Sequence, residues 1–244
     1  MTRPAELPAL KRVGHKGADL VAPGNTVDSF QAALALEVDM IEFDVLRLAD
    51  GRLVLAHHYE DAARRDPLTL EQGLDHFADE AYAGVELDVD LKLPGYEREV
   101  VEGLRERGLA ARSLISSTYP ASLDAVGRLA PELRRGWSVP RVRRDYTRTV
   151  LAPGAYALVL FMRARLPKRA TDAIRAGRCE ALMVHWLLVS RRLVESVREA
   201  GGQVYAWTVD DARRIAALDA LGLDGVITND PRLFGGPADL ATPV

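Results

Sequence analysis

Two short stretches of this sequence alternate acidic with apolar residues, Ile41-Glu42-Phe43-Asp44-Val45 and Glu86-Leu87-Asp88-Val89-Asp90-Leu91-Lys92. An extended chain turns successive side chains to opposite faces. Glu42 and Asp44 therefore share one face of their segment, and Glu86, Asp88, Asp90 and Lys92 share one face of theirs. Carboxylates gathered in a protein interior repel one another unless a positive charge lies between them, because an unpaired buried charge is strongly unfavourable. A set of oxygen ligands suits a hard divalent cation, Mg²⁺ or Ca²⁺. The pattern leads us to expect one such ion on Glu42, Asp44 and one acid of the second stretch, and alternation alone leaves that third ligand open. The competing reading is structural: Lys92 and a nearby arginine would neutralise the acids as a buried network, a description that suits Glu86 and Asp88, deeper along their strand, better than Glu42 and Asp44.

Histidines stand beside these acids. His15 closes the apolar segment Arg12–His15, and His57 and His58 follow Leu53-Val54-Leu55-Ala56. Imidazole takes up or releases a proton near neutrality, which suits acid–base chemistry, although a lone histidine at a strand end often serves structure only. Adjacent residues of an extended chain point oppositely, so only one of His57 and His58 can face a site on that strand. His76 falls in the helical-looking segment Thr69–Phe77 and reads as a surface residue. His185 ends a later strand, where it either lines the site or fills the interior.

The elements that must position these groups alternate between strand and helix. Strand-like runs cover Arg12–His15, Met40–Val45, Val85–Leu91, Ser113–Ser117, Arg135–Val139, Leu182–Trp186, Val204–Val209 and Gly225–Thr228. Helical periods cover Thr26–Leu36, Glu97–Arg107, Pro120–Leu129, Ser190–Ala200 and Asp211–Leu221, the first with Asn25-Thr26 as its natural cap and the fourth opening on Ser190. Eight strands with helical crossovers in 244 residues predict an α/β fold, a single-domain (β/α)8 TIM barrel with its core over about residues 12–235. Pro140–Arg178 fits the pattern least and reads as a long loop followed by helices, with Arg141, Arg143, Arg144 and Arg148 as a solvated face. No Gly-x-Gly-x-x-Gly follows the first strand and no Walker-type loop occurs, which counts against nucleotide-binding α/β folds.

Composition narrows the class further. A net charge of −3 gives no basic surface for a nucleic-acid partner. The single cysteine, Cys179, cannot form an intrachain disulfide, the first residues lack an apolar signal core, and no apolar run approaches the roughly 18 residues of a membrane span. A soluble cytoplasmic protein without a transmembrane segment is expected, and its oligomeric state is not set by the sequence.

The ordered set His15-Lys16-Gly17, Pro23-Gly24-Asn25-Thr26, Glu42-Phe43-Asp44-Val45, Asp50-Gly51, His57, Asp90-Leu91-Lys92, Ser116-Ser117, Trp207-Thr208-Val209-Asp210 and Ile227-Thr228-Asn229-Asp230-Pro231 resembles the glycerophosphodiester phosphodiesterase family. The resemblance implies a (β/α)8 barrel and a phosphoric diester hydrolase of lipid metabolism, acting on a small-molecule glycerophosphodiester or a lysophospholipid-type substrate. It implies Glu42, Asp44 and Asp90 as the ligands of one Mg²⁺ or Ca²⁺, and His15 and His57 as the catalytic acid–base pair. Lys16 and Lys92 would contact the phosphate and Trp207 would line the pocket. The chain departs from the family pattern at Lys16, where Arg is usual, at Gly24, where Glu is usual, at His58, where Asp is usual, and at Asp90, where Glu is common. The segment after His57 is short, so a more open pocket is expected. Asp90 also resembles the third ligand of the sphingomyelinase D-type phospholipases. A degenerate barrel that binds phosphodiesters or a protein partner without turnover is the alternative from another class.

Overall fold

The computed structural model describes residues 7–141 and 152–235, and the side chains of 152–157 are not among those described. In chain order the elements are β1 (Lys11–Gly14), α1 (Val27–Ala35), β2 (Met40–Arg47), β3 (Leu53–Leu55), α2 (Tyr59–Ala63), α3 (Leu70–Phe77), β4 (Glu86–Leu91), α4 (Glu97–Glu106), β5 (Ser113–Ser117), α5 (Pro120–Leu129), β6 (Arg134–Val139), α6 (Ala152–Arg175), β7 (Ala181–His185), α7 (Arg191–Glu199), β8 (Gln203–Trp207), α8 (Ala212–Ala220) and β9 (Gly225–Thr228). Eight of the strands pair in parallel in the order β1-β9-β8-β7-β6-β5-β4-β2, and β1 pairs β2 to close the ring. The molecule is a closed (β/α)8 TIM barrel. The ninth strand, β3, runs antiparallel to the end of β2 with Val45 opposite Leu55. Its three residues are too few to show a period in the sequence, and β2 supplies the partner that makes it a strand.

Alternation sorts the side chains as expected. Ile41, Phe43 and Val45 pack outward with Phe30, Leu74 and Phe77 of the helical layer. The inward face below the acids is filled by Val13, Met40, Leu114, Met183, Tyr205 and Ile227. At the barrel floor Glu86 accepts hydrogen bonds from Lys11 and Arg134, so this acid belongs to structure, with partners other than Lys92.

Three sequence readings change, and a fourth is met at the one residue of it that is described. The cap of α1 is Thr26, whose hydroxyl accepts from the Ser29 amide in a capping box, which frees Asn25 for another task. His76 is half-buried: its Nε2 lies 2.8 Å from Tyr82 Oη and its ring packs against Phe30, Phe77 and Tyr82, because α3 turns it toward the neighbouring short helix rather than to solvent. Residues 152–175 form one long helix, with Pro167 in its interior, in place of several. Arg141 is exposed, as a solvated face requires, and stacks on Tyr119, 4.1 Å from the ring centre, while Arg143, Arg144 and Arg148 lie outside the described residues. Among the described residues no helix is long and apolar enough to cross a membrane.

Candidate active site

Parallel register brings the two acidic stretches side by side. Glu42 pairs with Asp88 and Asp44 with Asp90 across β2 and β4. Ligand oxygens of Glu42, Asp44 and Asp90 lie within 4.8 Å of one another. Two ligands of one cation can be separated by at most twice the bond length, about 4.2 Å for Mg²⁺ and up to about 5 Å for Ca²⁺. The donor set is carboxylate only, and the buried Oδ1 of Asp90 accepts no hydrogen bond. These residues fit a hard divalent cation.

The protein positions each acid through its neighbours. Asp44 is fully buried, and Asn25 clasps it on both sides: Asn25 Nδ2 donates to Asp44 Oδ2 at 2.8 Å, and the Asp44 amide donates to Asn25 Oδ1 at 3.0 Å. Asn25 holds φ 58°, a left-handed conformation that asparagine tolerates better than most residues. Glu42 Oε2 accepts the Lys16 amide at 2.8 Å. Lys92 Nζ sits 2.5 Å from Asp44 Oδ1 and 2.6 Å from Asp90 Oδ2. Burial opposes the lysine's charge, yet Asp44 and Asp90 raise its pKa well above the ordinary value. Burial also opposes the charge of Asp44, and Lys92 with His57 and His15 holds that carboxyl below the usual range. Glu42, buried beside Asp44, is pushed up. One ammonium among three carboxylates leaves net negative charge. Lys92 thus supplies part of the neutralisation that the structural reading asked for, and leaves room for a cation.

Asp88 lies level with Glu42 and two residues deeper than Asp90, 1% exposed, with Oδ1 unpaired among the described residues, and burial beside Asp90 raises its pKa to about 7. A neutral carboxyl is the state this depth favours.

His15 stands one residue beyond β1. Its Nδ1 lies 2.5 Å from Asn229 Oδ1. Asn229 in turn donates from Nδ2 to Asp210 Oδ2 at 2.7 Å and from its amide to Asp210 Oδ1 at 2.8 Å. The carboxylate fixes which end of the Asn229 amide is the acceptor, and that acceptor places the proton on His15 Nδ1. Nε2 is left with a free lone pair, 3.8 Å from Glu42 Oε2. Burial, helped by Lys16, lowers the His15 pKa to about 4, so the ring is neutral at pH 7. Asn229 and Asp210 stand in the motifs that carry the family resemblance but received no role from the sequence; their positions just past the C-terminal ends of β9 and β8 were a further signal.

His57 lines the same cleft as the acids, while His58 turns away and caps α2 by accepting the Asp61 amide at 3.1 Å. The cleft, about 440 Å³, opens at the C-terminal ends of the strands. Its walls include Lys92, Ser116, Tyr119, Arg141 and Trp207. His185 packs edge-on against Trp207, at 5.2 Å between ring centres, and does not itself line the cleft.

Lys16 departs from its expected place. Its Nζ pairs with Asp19 Oδ2 at 2.5 Å in a smaller hollow that shares His57 with the main cleft. Asp19 also accepts the Gly24 amide at 2.8 Å, and a side chain at Gly24 would collide with both Asp19 and Lys16. The carboxylate that Gly24 lacks is therefore supplied by Asp19, and the lysine follows it.

A family model described as "Glycerophosphoryl diester phosphodiesterase family" matches residues 15–72 and 59–233. A glycerophosphodiester phosphodiesterase of Caldanaerobacter subterraneus subsp. tengcongensis is 26% identical over 253 residues, spanning 90% of this chain and 93% of the relative. Among solved structures, a glycerophosphodiester phosphodiesterase from Parabacteroides distasonis superposes with a TM-score of 0.70 at 18% identity, covering 91% of this chain and 94% of that one. A phosphodiesterase from Oleispira antarctica, solved in complex with the product sn-glycerol-3-phosphate, gives 0.69 at 21% identity, covering 97% and 98%. The family match spans most of the barrel, from His15 through Asp210 and Asn229, and the chain belongs to the glycerophosphoryl diester phosphodiesterase family, a family of phosphoric diester hydrolases.

Proposed function

We propose that this protein hydrolyses a glycerophosphodiester, or the monoacylated lysophospholipid form, in a reaction that requires one Mg²⁺ or Ca²⁺ held by Glu42, Asp44 and Asp90. The reading is carried by His15: its Nδ1 is tied through Asn229 to Asp210, and its bare Nε2 is presented beside the three carboxylates. The cation would offset negative charge on the non-bridging phosphate oxygens as the transition state forms. His15 Nε2 takes the proton of the attacking water or neighbouring substrate hydroxyl. The new O–P bond forms as the bond from phosphorus to the leaving alcohol oxygen breaks, and His57 delivers a proton to that oxygen. His57 is kept near the neutral form by burial, and the negative charge of a bound diester favours its imidazolium. Lys92 and the aromatic face of Trp207 would orient the phosphate and the alcohol; Lys16, paired with Asp19, would act on the phosphate only after exchanging that partner. The product named in the Oleispira antarctica complex, sn-glycerol-3-phosphate, supports glycerol phosphate as the retained half.

The test follows glycerophosphocholine by ³¹P NMR in protein stripped with chelator and then resupplied with each ion. Activity that returns with the ion and is lost in both His15→Ala and His57→Ala supports the reading. Tight binding of the diester without turnover under every ion would favour a binding-only barrel.

A further inference from the structure

The long helix α6 carries a feature the hydrolytic site does not use. Leu158, Leu160 and Phe161 are 56%, 65% and 54% exposed, the largest such apolar group on one described element. The same helix carries Arg163, Arg165, Lys168, Arg169 and Arg175 against a single acid, Asp172, in a chain whose net charge is −3. No acidic residue occurs anywhere between Asp145 and Asp172. An apolar face followed by cations, with acids excluded, is the composition of a helix that lies against an anionic interface.

Geometry places this face beside the cleft. At 24 residues α6 is about 36 Å long, more than twice the other barrel helices of 8–10 residues, whose length suffices for the return crossover. Its lower half packs on the barrel through Leu166, Ala170 and Ala173. Arg163 Nη2 donates to the Val189 carbonyl at 2.8 Å, in the segment just past the C-terminal end of β7, so Arg163 marks the level of the barrel rim. Leu158, Leu160 and Phe161 precede it and lie farther out on the mouth side. Across the mouth, the loop after β1 exposes Leu20 and Val21. β1 and β6 are four strands apart in either direction around the ring, so the two apolar edges flank the opening.

We infer that the mouth of this barrel docks on an anionic lipid surface, with the outer face of the first described turns of α6 entering the headgroup layer and Arg165, whose guanidinium lies 4.5 Å from the centre of the Phe161 ring, on its lipid-facing flank. A second copy of the chain is the disfavoured occupant. A two-fold contact through this face would bury both copies of Arg165 in one interface whose described face offers no free carboxylate: among the described residues Arg165 has no carboxylate partner, and Asp172 is taken by Lys168. Docking in this pose would present the cleft to a headgroup, which rests on the phosphodiesterase reading; the binding itself does not.

The experiment is vesicle co-sedimentation of the intact chain, read without hydrolysis. Wild type should sediment with phosphatidylcholine vesicles containing phosphatidylglycerol, stay in solution with phosphatidylcholine alone, and release as salt rises. Removing Arg165 as R165Q should lower vesicle affinity by about fivefold. L160S/F161S should abolish sedimentation while keeping the Tm and the hydrolysis of a water-soluble diester at wild-type values. Absence of wild-type binding to anionic vesicles, or equal binding to neutral ones, overturns the inference. So does a wild-type dimer in analytical ultracentrifugation that becomes monomeric in L160S/F161S. Loss of hydrolysis with vesicle binding intact would count against the reaction and leave the docking standing.

Discussion

Removal of one hydroxyl, in Tyr96→Phe, tests how the two ligand-bearing strands are held together. Tyr96 is 1% exposed, and its Oη donates to the Val45 carbonyl at 2.6 Å while accepting the Leu93 amide at 3.0 Å. Val45 follows Asp44 on β2, and Leu93 follows Lys92 past β4, so this hydroxyl clips together the ends of the strands that carry Asp44 and Asp90. The Val45 carbonyl also accepts the Lys92 amide at 3.1 Å, so the substitution orphans no acceptor. What is lost is one hydrogen bond, about 1 kcal/mol net, together with the partner of a half-buried amide, about another 1 kcal/mol. A destabilisation of about 2 kcal/mol in a chain this size lowers Tm by about 4–8 °C. Burial raises the Tyr96 pKa, so the hydroxyl keeps its proton and the difference should hold from pH 6 to pH 9. Tyr205→Phe is the control: that ring is equally buried, but among the described residues its hydroxyl has only Gln203 Oε1 at 3.5 Å, and its loss should shift Tm by at most about 2 °C. Thermal denaturation by circular dichroism reads both variants, and calorimetry reads cation affinity, which should weaken in Y96F and stay unchanged in Y205F. Equal Tm shifts in the two variants would refute the clip.

Asp210→Asn should let the Asn229 amide turn over, place the proton on His15 Nε2 and lower kcat about 100-fold with KM little changed; a normal kcat would show that the Asp210–Asn229 pair does not set the tautomer. Glu86→Gln should cost about 1–2 kcal/mol at pH 7 by urea denaturation, since the lost pairs are partly solvated. Burial opposes the charge of Glu86, but Lys11 and Arg134 hold its pKa below the ordinary value. Its contribution is therefore complete above the unfolded pKa near 4.5 and is lost as pH falls through the lower folded value, so the gap between E86Q and wild type should close in acid. Adding Mg²⁺ or Ca²⁺ at a hundred times its Kd should stabilise the wild type by about 2.7 kcal/mol and leave an Asp44→Asn/Asp90→Asn variant unmoved.

Sequence alone determined the barrel and the direction in which its acids point. Parallel strands buried on both faces should be apolar throughout, so the breaks at Glu42, Asp44, Asp88 and Asp90 were visible without coordinates, and strand period two sent them inward. The same period could say that only one of His57 and His58 faces the cleft, and the structure chose His57 because α2 needs His58 as its cap. Partners distant along the chain were beyond that reasoning. Nothing local to His15 announces that Asn229, 214 residues away, fixes its proton, or that Asn25 is spent on Asp44 rather than on the helix cap. Lys92 read as a phosphate ligand, and the closed ring put its ammonium between Asp44 and Asp90; Lys16 read the same way, and Asp19 drew it aside through the space Gly24 leaves. Chain periodicity fixes which face a side chain occupies because it is set by local dihedrals. Which charge meets which is decided only when the barrel closes and burial forces every acid, amide and ammonium to find a partner within hydrogen-bond reach.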